Sequence, residues 1–253
     1  MDPSRDEFYV GYLPTSPPAL ERFLRLVVLG LLLGGTALAI GLALAQRHPA
    51  PATFEYGTVR RLIGVIREHP YPLLLVERPG QGAAPVSTYL LAGYTKHGAG
   101  PLVAGLDGRQ VELDGTLIFR AEGTMVEIRH PPVALGAPVT LPPELESELG
   151  PVTLTGEIVD SKCHLGAMNP GGGATHRECA IRCLRGGLPP VLATRDRSGV
   201  GIDVVLASAE GTPLGVSVLD HVAIPVQVTG RLRRIGTLYV IGVGSGAIQA
   251  RQP

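Results

Sequence analysis

All three cysteines and two of the seven histidines fall within 21 residues: Cys163-His164, then His176-Arg177-Glu178-Cys179-Ala180-Ile181-Arg182-Cys183. Thiolates and imidazoles bind borderline and soft metal ions, and thiols also pair by oxidation. Between the two halves runs Asn169-Pro170-Gly171-Gly172-Gly173-Ala174, a loop able to fold Cys163 back onto the second half. The pattern from Thr175 to Leu184 predicts a short helix that Gly186-Gly187 stops. On that helix His176, Cys179 and Cys183 stand at i, i+3 and i+7 and share one face. Such a face admits a Cys₃His site of Cys163, His176, Cys179 and Cys183, with His164 as alternative ligand, for zinc or another thiophilic ion. It equally admits a disulfide from Cys163 to Cys179 or Cys183, worth about 2–4 kcal/mol for such a loop, with one thiol left over. Redox chemistry of the thiols is the third use, although C-x₃-C is not the C-x-x-C of thioredoxin-like enzymes.

Other chemistry is sparse. No G-x-S-x-G, H-E-x-x-H, Walker or Rossmann pattern occurs, nor a C-x-x-C-H haem site. His69, His97, His130 and His221 stand singly and read as surface or core residues, while Glu157 and Asp160 read as strand-end caps. The formal charge is zero, tryptophan is absent and aromatics make up 4%, which argues against nucleic acid as a partner. Of the 22 basic residues only Lys96 and Lys162 are lysines, a bias that reads as coding preference.

The strongest single feature is apolar. Leu26 to Ala45 carries no charge and one hydroxyl, Thr36, and at about 1.5 Å per residue spans a bilayer's hydrocarbon. Arg22, Arg25, Arg47 and His48 bracket it, so residues 23–46 are expected to form a single transmembrane helix. Ala43-Leu44-Ala45 would suit signal cleavage, but the long run and the twenty-odd residues before it favour a retained anchor. Gly30, Gly34, Ala37, Gly41 and Ala45 share one face, a stripe suited to close packing against another membrane helix. Arginines tie across the two ends, and a short tail before a long domain tips the expectation to a cytoplasmic N-terminus and a periplasmic or otherwise extracytoplasmic domain. In the tail, residues 1–22, Phe8, Tyr9 and Tyr12 are expected to dock on a partner or at the headgroups.

With 34 glycines and 23 prolines, the rest should be short strands and turns. Val111-Glu112-Leu113-Asp114-Gly115-Thr116-Leu117 and Val226-Gln227-Val228-Thr229-Gly230-Arg231-Leu232 are alike, each followed by Gly-Thr and an apolar strand. Gly57 and Gly156 each begin a unit in similar fashion. The expected fold is therefore mainly β: two tandem OB-like barrels, 54–130 and 151–246, joined by a Pro-rich linker at 131–150, the second barrel carrying the Cys/His insertion. An anchored OB barrel resembles the periplasmic haem chaperones of cytochrome c maturation, but their H-x-x-x-Y attachment motif is missing.

The run Gly156-Glu157-Ile158-Val159-Asp160-Ser161-Lys162-Cys163, His176 to Cys183, and Gly187-Leu188-Pro189 resembles a GE[VI]VDxxC…HxxCAxxC…GxP motif of uncharacterised bacterial membrane-anchored or exported proteins. That resemblance covers about 35 residues and implies a real unit without implying an activity. Two functions are in view. The first is a non-catalytic accessory or assembly subunit of a membrane-bound, respiratory or oxidoreductase complex, held by other membrane subunits and the bilayer. The second is a membrane-anchored metal-binding or thiol-redox protein working through Cys163, His176, Cys179 and Cys183.

Overall fold

The computed structural model of the protein describes residues 17–45, 51–78, 86–121, 123–139, 145–196 and 198–251. The chain forms two compact units, Met1–Pro49 and Ala50–Pro253. In the first, helix α1 runs Pro18–Ala45, with a proline at its start and a Glu21–Arg25 ion pair one turn apart. Its 28 residues make a rod of about 42 Å, and Leu20–Ala45 is long and apolar enough to cross a membrane, with none of it buried in the protein. A single apolar N-terminal helix of this kind is consistent with a single-pass membrane protein. Around Gly30, Gly34 and Gly41 a Cβ would meet nothing within 4 Å, and Ala37 and Ala45 are likewise exposed. Phe8, Tyr9 and Tyr12 lie outside the described residues.

The second unit begins with strands β1 (Ala52–Phe54), β2 (Arg60–Arg67), β3 (Leu73–Glu77) and β4 (Val86–Ala92). A short helix α2 (Gly100–Val103) comes next, then β5 (Arg109–Arg120), β6 (Gly123–Ile128) and β7 (Val133–Pro138). Strands β2, β3, β4, β6 and β5 pair in that order and β5 returns to β2, which closes a five-strand barrel. Only the β4–β6 pairing is parallel, and this is the OB-type arrangement. Strands β1 and β7 add to β5 outside the ring.

The second sheet contains β8 (Glu146–Asp160), β9 (Pro190–Arg195), β10 (Gly201–Ser208), β11 (Pro225–Ile235), β12 (Leu238–Val243) and β13 (Ile248–Ala250). Its order is β12-β10-β9-β8-β11-β13, and β11 and β12 also form a hairpin. Helix α3 (Arg177–Arg185) lies between β8 and β9.

The internal likeness seen in the sequence has a register counterpart. Gly64 of β2 faces Val111 of β5, and Gly156 of β8 faces Val226 of β11. A Cβ on Gly64 would lie 2.6 Å from the Leu75 carbonyl oxygen, and one on Gly156 would lie 2.4 Å from that of Ala193. Both strands bend where a neighbouring backbone leaves no room for a side chain. The partner of Gly156 is thus Gly64, whereas Gly57 is a turn residue at φ +84°.

The expectation of two tandem OB-like barrels is overturned. One closed barrel is supported, and the second sheet shares a core layer with it instead of standing beyond a linker as a separate tandem module. Alternation along each strand sends side chains to opposite faces. In β3, Leu74 points into the barrel with Ile66, Leu91, Val111 and Ile128, while Leu73 and Leu75 point out. These outward residues join Leu90, Ile118 and Met125 in a layer with Val159, Val191, Val205, Ile235 and Val240 of the second sheet. The two sheets therefore pack through a common apolar layer within one compact unit. The expected linker at 131–150 also carries β7 and the start of β8.

Polar contacts fasten the same layer. The Thr88 hydroxyl donates to the Ile235 carbonyl (2.7 Å), and the Leu214 N–H donates to the Tyr71 hydroxyl (3.0 Å). Burial pushes the Tyr71 phenol up to about 12. Lys162, just beyond β8, reaches Glu127 of β6 at 2.6 Å with both side chains at most 5% exposed. The Lys162 ammonium also donates to the carbonyls of Gly93 (2.8 Å) and Thr95 (2.6 Å), so its three protons are all used.

Lys162→Met should therefore cost about 3–5 kcal/mol, because it strands a buried carboxylate. Lys162→Met with Glu127→Leu should recover much of that loss. Urea unfolding of the detergent-solubilised chain reads both, and equal losses in the two variants would contradict the assignment.

Candidate metal and thiol site

The site is built where β8 leaves the second sheet. Asp160, Ser161, Lys162 and Cys163 are all buried at that point. The Asp160 carboxylate accepts the Cys163 N–H through Oδ1 (2.9 Å), which caps the wide, π-type helical turn Cys163–Ala167. Its Oδ2 lies 3.0 Å from His176 Nε2, with Asp160 wholly buried and His176 nearly so. The chain then returns over Cys163. A Cβ on Gly171 would lie 2.4 Å from the Cys163 carbonyl oxygen, and Gly173 takes φ +79° as its N–H donates to Glu157 (2.5 Å). Only glycine fits such a path.

Helix α3 comes after a single turn over Ala174–His176, close to the helix expected from Thr175 to Leu184. It buries Ala180 and Ile181 against the second sheet's own core and turns Cys183 into the shared layer. Cys179, one turn earlier, is half-buried. Cys163 Sγ is 4.0 Å from Cys179 Sγ and 4.0 Å from Cys183 Sγ, and all three sulfurs lie within 4.8 Å of one another. A second group, Asp160, Cys163 and His176, has the same spacing and shares Cys163 with the first.

A sixth participant comes from the barrel side. The segment after β4 crosses to α3, where the Gly98 N–H donates to the Gly186 carbonyl (2.8 Å). A Cβ on Gly186 would fall 1.9 Å from the Lys96 carbonyl oxygen, so glycine alone admits this crossing. It places Lys96 Nζ 2.7 Å from Cys179 Sγ and 3.8 Å from Cys183 Sγ. The same segment lines a groove of about 790 Å³ with Tyr71, Tyr94, Arg129 and Leu214, but no cysteine lines it, so the groove is not the ligand pocket.

The electrostatics separate the thiols. Cys163 donates to Cys183, and with burial and the Asp160 charge this pushes the Cys163 thiol far up. Accepting that bond holds Cys183 below the ordinary thiol range, with Lys96 assisting against burial. The bond to Cys179 raises Lys96. One thiol is thus kept protonated and its neighbour is favoured as thiolate.

The spacing has a direct chemical meaning. Ligand sulfurs at about 2.3 Å from a tetrahedral ion stand about 3.8 Å apart. The observed 4.0 Å separations approximate one face of that tetrahedron. A Cys/His/Asp cluster able to coordinate a metal ion is therefore present.

The expected disulfide from Cys163 to Cys179 or Cys183 is corrected. All three cysteines are free, and 4.0 Å is about twice an S–S bond. His176 reaches Cys163 but joins it through the Asp160 group, not the three-thiol group. His164 turns to Asp203 instead (2.9 Å). Sequence reasoning missed Lys96 and Lys162. Their signal was available, since the chain's two lysines both end here. Asp160, expected as a cap, caps Cys163 and also orients His176.

No protein-family model matches this chain, and no curated protein matches it.

A thiolate titration monitored by ultraviolet absorbance should show one group ionising below the usual ~8.5 of a thiol. Cys163→Ala removes the proton donor to Cys183 and should move that midpoint upward. A midpoint unchanged by Cys163→Ala would contradict the donor–acceptor assignment.

Proposed function

We propose that the protein is a membrane-anchored metal-binding protein in which Cys163, Cys179 and Cys183 hold a thiophilic ion. The single observation that carries this reading is the three-sulfur face, with two edges of 4.0 Å and the third within 4.8 Å. Thiolate donors select Zn²⁺ or Cu⁺ over hard cations, and zinc is the ion we assign first. Three thiolates around Zn²⁺ leave a net charge of −1, which the adjacent Lys96 ammonium offsets. The Asp160–His176 pair has the carboxylate–imidazole form that orients ligands around metals, and it shares Cys163 with the thiol face. A three-cysteine face leaves one position for a fourth ligand, the condition for exchange of a metal or binding of a further group.

In this reading α1 holds the domain at the bacterial inner membrane, with the N-terminus cytoplasmic and the β unit in the periplasm. The accessory-subunit role rests on the small-residue stripe of α1, the aromatic tail and the lack of a readable catalytic motif, so it takes second place to the thiol site. If the likeness to the anchored bacterial proteins with the GE[VI]VDxxC motif holds, the same metal site is expected in them.

Purified under reducing conditions, the full-length chain should carry close to one zinc or copper ion by elemental mass spectrometry. Cys163→Ser, Cys179→Ser and Cys183→Ser should each lower occupancy at least tenfold, and His164→Ala should leave it unchanged. Full occupancy in any of the three cysteine variants, or a wild-type chain that takes up neither ion, would overturn the proposal.

A further inference from the structure

Lys96 and Cys179 are closer than a hydrogen bond to sulfur requires. Their 2.7 Å separation is shorter even than the ~2.9 Å typical of N–H···O, although sulfur is much larger than oxygen. A direct N–S bond would be far shorter. Two single bonds of about 1.5 Å meeting at one bridging light atom span roughly 2.5 Å, and a bond to sulfur lengthens this slightly. The observed distance falls there. By contrast, the sulfur–sulfur separations of 4.0 Å exclude a disulfide in this arrangement. Lys96 is exposed and Cys179 only half-buried, so an oxidant reaches the pair from solvent.

From this geometry we propose that Lys96 and Cys179 form a reversible covalent bridge, Nζ–O–Sγ, when the protein meets peroxide. The chemistry balances in two steps. The Cys179 thiolate attacks one hydrogen peroxide, the S–O bond forms and the O–O bond breaks, and the departing hydroxide takes a proton from the Lys96 ammonium. The products are a sulfenic acid, a neutral amine and water. A second peroxide then accepts two electrons and two protons, one from the sulfenic O–H and one from the amine, as the N–O bond forms, and becomes two waters. Thiolate and ammonium plus two peroxides thus give the bridge and three waters. Four equivalents of a thiol reverse the oxidation: they become two disulfides, the bridging oxygen leaves as water, and the free lysine and cysteine return.

The bridge removes Cys179 as a ligand. This consequence, unlike the bridge itself, rests on the metal reading: peroxide would release the ion. A neighbouring feature prepares the pair. Lys162 holds the carbonyls of Gly93 and Thr95, fixing the segment that carries Lys96.

The full-length chain in detergent, treated with hydrogen peroxide, is analysed by intact mass and peptide mapping. The expected result is a gain of about 14 Da (one oxygen gained, two hydrogens lost) that joins the Lys96 and Cys179 peptides and is reversed by dithiothreitol. Cys163→Ser should keep the gain, while Lys96→Arg and Cys179→Ser should abolish it. A gain of about 16 Da alone, a loss of about 2 Da, or no joined peptides would overturn the proposal. Metal content is read in parallel on the same samples. A bridge in protein that never held metal would sink the metal reading and leave the crosslink standing, and metal without the bridge would do the reverse.

Discussion

The apolar layer between the closed barrel and the second sheet is the constraint on which the rest of the second unit depends. Each sheet has a core of its own, Leu74 and Val111 on one side and Leu192 and Val226 on the other. Neither core explains why Leu73, Leu75, Val191 and Ile235 are also buried. They are buried because strand alternation leaves a second apolar face on each sheet, and the two faces cover each other. Each large side chain in that layer contributes about 1.5–3 kcal/mol through burial. The Lys162–Glu127 pair lies in the same boundary and fixes one mutual arrangement, since a slipped interface would strand two buried charges.

The thiol site is a product of that boundary. Cys163 and Cys183 belong to the shared layer, so their sulfurs are held by packing against both sheets. Lys96 arrives from the barrel side, and its route is set by Gly186 and by the Lys162 bonds to the backbone before it. Donors from α3, from the turn after β8 and from the barrel's own connection thus converge without any one element supplying a complete site. Preorganisation of this kind lowers the cost of ordering ligands around an ion.

The sequence made some of this legible and hid the rest for physical reasons. Apolar length revealed α1, because a run of that length matches a bilayer's hydrocarbon, and none of it is buried in the protein. The i, i+3, i+7 spacing placed Cys179 and Cys183 together, because helical period is a local property. Cys163 was also placed correctly, through the glycines that return the chain over it. The disulfide expectation failed because cysteine count carries no distance. The tandem-barrel expectation failed because a strand pattern such as Leu73-Leu74-Leu75 shows two apolar faces without showing what covers the second. Lys96 was invisible as a site residue because it lies 83 positions from Cys179, and only the crossing at Gly186 joins them.

The central claim is that Cys163, Cys179 and Cys183 together hold one ion. X-ray absorption spectroscopy of the zinc-loaded, reduced full-length protein tests it most directly. The account predicts three sulfur scatterers at about 2.3 Å, falling to two in Cys179→Ser. A first shell of nitrogen and oxygen only, or a sulfur count unchanged by that substitution, would contradict it.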